Sequence, residues 1–206
     1  MTRKSIVLLA GLACVAAVAG CRMHVDKDAN GKEKTVQLDT PFGGLHVNTD
    51  QTTASDLGLP VYPGAQSETD KDNNKSADVH MGFGEWQLRV RVVQYSSSDT
   101  QDKVVAYYKK ALGRYGDVIT CQGNAPVGTP AATSEGLSCS DGGKNGAIHV
   151  NGKNDIDLHD GLELKAGSKR HQHIVGFQDP KNGRVRFALI ALDLPTGVTS
   201  DDDKRD

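Results

Sequence analysis

His171 and His173 stand two apart at the start of a strand candidate, His171 to Gln178. On a strand, that spacing points both rings to one face, a geometry that can serve zinc. A closed site needs several converging ligands, and local spacing fixes no third one. Asp157 and His159 qualify only if the fold brings them close. The alternative is a pair of solvated strand histidines, so the sequence assigns no metal. Asp155-x-Asp157-x-His159-Asp160-Gly161 fails as an EF-hand, because its Gly falls one place late and the twelfth position is Ala166, not Glu. A weak cation site in the 141–161 loop is all that survives. Gly82-Phe83-Gly84 lacks the third Gly of a dinucleotide fingerprint. There is no Gly-x-Ser-x-Gly. Arg89 and Arg91, with Arg184 and Arg186, could share a basic strand face able to touch anionic headgroups or glycan; on most wet faces such residues are only solvation. No catalytic residue and no cofactor is assigned.

The elements that would position these groups follow from periodicity. Val36 and Leu38, then Leu45 and Val47, alternate with polar neighbours around Pro41 and two glycines, a hairpin signal. Ala77, Val79, Met81 and Phe83, then Trp86, Leu88, Val90 and Val92, alternate in the same way and predict an antiparallel pair. Ser96 to Asp99 offers an N-cap for a helix whose stripe is Val104, Tyr108 and Leu112, flanked by Val105, Ala111 and Tyr115. Gly116 is its stop. Val118 to Cys121, Leu137 to Ser140, Leu162 to Ala166, His171 to Gln178 and Arg184 to Leu194 read as strands. The last is apolar on both faces and belongs at the centre of a sheet. Val61 and Tyr62, between two prolines, are expected as a buried extended lead-in, with a presented loop as the alternative. Strands before and after one helix, joined by short hairpins, predict an α+β fold: an antiparallel sheet with one main amphipathic helix on one face.

At the amino terminus, Arg3 and Lys4 precede an apolar run from Ile6 to Ala19, shorter than the roughly 20 residues that span a bilayer. The run closes on Val18-Ala19-Gly20-Cys21, which resembles the lipobox of bacterial lipoproteins. The resemblance implies cleavage before Cys21, a diacylglyceryl thioether on its sulfur and an acyl group, such as palmitate, on the new amino terminus. Several chains anchor a protein stably where one does not. Residue 22 is Arg, not the Asp that resembles an inner-membrane retention signal, so the expected place is the outer membrane, facing the periplasm. Cys14 leaves with the signal and Cys21 takes lipid, so Cys121 and Cys139 remain as a pair for a disulfide in an oxidising compartment. Their spacing is unlike that of a Cys-x-x-Cys redox pair. Without Arg3 and Lys4 the chain carries 22 basic against 26 acidic residues, a formal charge of −4 that gives no electrostatic reason to expect nucleic acid.

The domain reading is a signal peptide over 1–20, a polar tether with a short β-hairpin over 21–56, a globular domain over 57–195 and an acidic tail over 196–206. Val61-Tyr62-Pro63-Gly64-Ala65, the helix around Val104-Val105-Ala106-Tyr107-Tyr108 and Leu164 to Ser168 resemble a group of uncharacterised secreted bacterial proteins. That resemblance carries no activity. Two functions stay open. One is a non-enzymatic envelope lipoprotein that binds a protein or glycan partner and displays an exposed apolar patch. The other is a small periplasmic metal-binding protein or enzyme using the His171/His173 face.

Overall fold

Period-two alternation builds the main element of this protein, a single antiparallel sheet. The computed structural model describes residues 21–27, 29, 33–69, 74–141, 148–149, 155–156 and 161–195. The strands are β1 (Arg22–Lys27), β2 (Glu33–Thr40), β3 (Gly43–Thr49), β4 (Gln66–Ser67), β5 (Ser76–Phe83), β6 (Trp86–Ser97), β7 (Val118–Gln122), β8 (Ala125–Pro126), β9 (Ile148–His149), β10 (Asp155–Ile156), β11 (Leu162–Gly167), β12 (His171–Lys181) and β13 (Arg184–Asp193). The sheet has eleven strands in the order β1-β2-β3-β5-β6-β13-β12-β11-β7-β8, with β4 also on β6; β9 and β10 pair separately. Two-residue turns set the register. Asn182-Gly183, both with positive φ, joins β12 to β13, and Gly84-Glu85, with Gly84 at φ 60°, joins β5 to β6.

One helix, α1 (Gln101–Leu112), ends in a 3-10 turn over Gly113–Tyr115. Its stripe Val104, Tyr108 and Leu112 is fully buried against Val93, Leu164, Val175, Phe177, Phe187 and Leu189. The molecule is thus mostly antiparallel sheet with one helix across part of one face. The residues of β6 and β13 on the other face, Val90, Val92, Ala188, Ile190 and Leu192, join Ile174 in a second buried cluster. A third gathers Ile119, Leu137 and the disulfide Cys121–Cys139.

Several expectations change. Residues 22–27 are the edge strand β1, so the chain enters the sheet one residue after Cys21 instead of spacing it off as a tether. Met23 and Val25 are the only apolar residues of that strand, and two points of alternation did not stand out in a charged stretch. The hairpin of β2 and β3 docks on β5. The helix N-cap is Thr100, because β6 runs on through Ser97 to meet β13 and Asp99 is drawn to Tyr62 and Lys103. Leu137 to Ser140 is not a strand; only isolated bridges touch it.

The segment before Pro63 is strapped to the helix. Thr53 donates from its backbone N–H and hydroxyl to the Asp56 carboxylate, bonds that hold that acid below its usual pKa, and a 3-10 turn follows over Ala54–Leu57. Tyr115, Tyr108 and Tyr107 then donate their hydroxyls to the carbonyls of Gly58, Pro60 and Val61. The Tyr62 N–H donates to the Tyr108 hydroxyl. Tyr62 is buried as expected, whereas Val61 points outward at 45% exposure. The extended backbone sends neighbouring side chains opposite ways, so only one of the two reaches the core.

Candidate functional site

Residues paired across an antiparallel ladder share a face, and the register places each candidate. His171 pairs with Asp193, and His173 with Ala191, so both histidines do lie on the helix-bearing face. Their surroundings differ. His171 is exposed, and its Nδ1 lies 2.9 Å from an Asp193 carboxylate oxygen. The other Asp193 oxygen lies 3.3 Å from an Arg91 guanidinium nitrogen. His173 is half-buried and stacks on Tyr115, with ring centroids 3.6 Å apart and planes 15° apart. Burial pushes its pKa below the ordinary value of 6.5; Asp193 pulls upward and Arg91 downward, and the ring's bond to the Leu57 carbonyl pulls upward again. His173 is therefore a neutral ring that wedges the 3-10 turn after α1 against the sheet. No group of three or more His, Cys, Asp or Glu is gathered for a metal among the described residues. Asp157 and His159 lie outside the described residues, as do most of the 141–161 loop, residues 1–20 and residues 196–206.

The four arginines do not share a face. The pairings Arg89 with Asp193 and Arg91 with Ala191 put that pair on the helix-bearing side. Arg186 pairs with Ser96, which places it, with Arg184, on the opposite side. Arg89 is bidentate to Asp78 at 3.0 and 2.6 Å. Arg91 donates to the Asp56 carbonyl as well as to Asp193. Arg184 donates to the hydroxyl and carbonyl of Ser96. Arg89, Arg91 and Arg184 are taken up by structural bonds. Local sequence could not reveal the split, because it depends on where β13 starts against β6.

A lateral row that sequence spacing did not suggest runs across the sheet. His24, Gln37, His46, His80, Arg89, Asp193 and His171 are successive partners from β1 to β12. Its members are held in pairs: His24 with Asp26 at 3.1 Å, His46 with Asp39 at 3.3 Å, His80 with Gln87 at 2.7 Å. The His46 and His80 ring centroids are 6.3 Å apart. This is a wet, polar face.

The other face of the same strands is apolar. Met23, Leu38, Leu45, Met81 and Leu88 form one row of partners. Val25, Val36, Val47, Val79, Val90 and Leu192 form the next, and it runs into the second buried cluster. From β1 to β5 these side chains are half-buried or exposed. Farther along that face, Lys165 lies against Glu163 at 3.1 Å and donates to the carbonyls of Cys139 and Asp141. Burial raises the Glu163 pKa, and Lys165 pulls it back down. That pair ties the disulfide loop to β11. Cys21 is exposed and takes no part in the disulfide, at the head of β1. No protein-family model matches the chain, and neither does any curated protein or solved structure.

Proposed function

We propose that this chain is a membrane-anchored envelope lipoprotein whose body is a non-enzymatic binding module. The observation that carries the reading is the apolar face of β1, β2, β3 and β5, which starts two residues after Cys21. An exposed apolar face of this extent marks an interaction surface. The titratable groups that suggested chemistry support the same reading. His171, His173, Arg89 and Arg91 are each engaged in bonds or stacking that stabilise the fold. In this proposal residues 1–20 are the signal, Cys21 carries the lipid, and the lack of an Asp retention signal at residue 22 leaves the protein at the outer membrane, facing the periplasm, where its partner is another envelope protein or glycan. The body is taken as α+β, with α1 layered on one face of the sheet.

Mass spectrometry of the amino-terminal peptide tests the anchor. The expected result is cleavage before residue 21 and a diacylglyceryl mass on its sulfur. A Cys21→Ser variant should leave the membrane fraction, since the anchor is its main hold. An unmodified thiol in membrane-extracted protein would overturn the proposal.

A further inference from the structure

The exposed apolar side chains concentrate at one end of the molecule. Six large ones stand in solvent among the described residues: Met23 (71%), Leu38 (37%), Phe42 (85%), Val61 (45%), Phe83 (53%) and Val127 (51%). Four of them, Met23, Leu38, Phe42 and Phe83, share an end, and the register shows why. Arg22 pairs with Asp39, so β1 begins where β2 finishes. Thr40 pairs with Gly43 around the Pro41-Phe42 turn. Gly44 pairs with Gly82, and Phe83 with Trp86, so the β5–β6 turn lies at that end too. Phe83 lies over Gly43, where an added Cβ would come 2.3 Å from its ring, and its centroid is 5.9 Å from that of Trp86. Cys21 emerges among these side chains.

We infer that this end of the sheet is a membrane-contacting surface, with Met23, Leu38, Phe42, Phe83 and Trp86 seated in the phospholipid interface around Cys21. The inference rests on the proposed lipid anchor and adds the orientation of the body: the Met23 row at this end meets lipid, and the Val25 row of the same face is left for the proposed partner. The occupant is the bilayer because of chain reach. One residue spans at most about 3.5 Å, so Met23 is within about 7 Å of the acylated position. Since β1 starts at Arg22, no slack separates anchor from sheet and no partner fits between them. Aromatic side chains favour the headgroup level. The Met23 and Val25 rows are about 7 Å apart along the strands, comparable to the roughly 5–10 Å to which interfacial elements sink. Tethering supplies the high effective concentration that lets a few such contacts hold. On the helix-bearing side the His24–His46–His80 row stays in water.

Trp86 is the only tryptophan of the chain, so its fluorescence reports on this end alone. The full chain, expressed with its leader and extracted in detergent, is assayed by mass at residue 21. It is then reconstituted into phosphatidylethanolamine–phosphatidylglycerol vesicles with brominated acyl chains. Trp86 emission should shift to the blue and be quenched. The Phe42→Ser/Phe83→Ser variant should float with vesicles yet lose about half of the quenching or more. Val61→Ser/Val127→Ser, at the remaining exposed sites, should change nothing. If circular dichroism shows the first pair misfolded, Phe42→Ser alone, in the turn, carries the test. Acylated, vesicle-bound protein with unquenched Trp86, or quenching indifferent to Phe42, overturns the inference while the anchor stands. If residue 21 carries no lipid, the anchor falls. The inference rests on that anchor and falls with it, a result distinct from unquenched Trp86 in acylated, vesicle-bound protein. Cross-linked dimers that shield Trp86 from lipid would also overturn it, assigning the end to a second copy.

Discussion

His173 shows how far a residue's surroundings can change its expected chemistry. As a sequence feature it is half of a metal-like pair; in the fold it is a neutral ring pressed on Tyr115. Burial disfavours the imidazolium, so the folded pKa lies below 6.5 and the unfolded chain takes up the proton first as pH falls. The resulting stability is complete above about pH 6.5 and is lost as pH falls through the folded-state value. Urea midpoints at about pH 7.5 and about pH 5 should therefore differ more in the native protein than in His173→Phe. The acids held low, Asp56 and Asp99, titrate beneath that window and stay common to both proteins. Equal pH slopes would show that the ring is not buried neutral. His171, exposed beside Asp193, has no such burial and illustrates that two rings on one face need not share an environment.

At the scale of elements, the loop from β8 to Asp141 depends on its covalent tie. Among the described residues it has few ladder bonds: Ala132 bridges Ser138 and Gly136 bridges Ser168. Leu137 and Cys139 are buried against Ile119 and Cys121 of β7. The disulfide closes a separation of 18 residues, for which chain entropy gives about 3 kcal/mol. Cys121→Ala/Cys139→Ala should lower stability by that amount in chemical denaturation, and a reductant should do the same to the native protein and nothing further to the variant. A loss well under about 1 kcal/mol would mean that the Lys165 bonds to Cys139 and Asp141 hold the loop unaided. The tyrosine strap works differently, since the hydroxyls of Tyr107 and Tyr108 on α1 and of Tyr115 in the 3-10 turn after it donate to the carbonyls of Val61, Pro60 and Gly58 without any strand pairing.

For the whole molecule, the sheet grades from a buried centre to an open wing. β12 and β13 are flanked on both edges, and Val175, Ala188, Leu189 and Ile190 are completely buried. β1 pairs on one edge only and is exposed save for Val25. Opening free energy follows burial and pairing, so amide exchange should be slowest in β12 and β13 and fastest in β1. On vesicles, β1 to β3 should slow while the centre does not change. Uniform exchange across the sheet, or slowing confined to the centre, would contradict this gradient. The wing's two faces also suit its proposed place, with one row of histidines and acids toward water and two apolar rows away from it.

Much of the body was legible from local pattern. Alternation over 77–83 and 86–92 marked strands because each covers several side-chain repeats, and the double-sided apolar run over 184–194 marked β13 and its central place. Val104, Tyr108 and Leu112 marked the helix by their spacing, and the pairing expected of Cys121 and Cys139 is a disulfide that the structure contains. The rest required pairing between segments far apart in the chain. Whether Arg89 meets Arg186 or Asp78 is decided by register, and a shift of one residue sends a side chain to the other face. β1 became a strand only because β2 offered an open edge. The row from His24 to His171 exists only once six strand pairings are in register, and the gathering of Phe42, Phe83 and Met23 around Cys21 only once β1, β2, β3, β5 and β6 are. Periodicity is a property of neighbours along the chain, so sequence alone determined the elements; which side chains meet is a property of neighbours across it, and only the tertiary structure decided that.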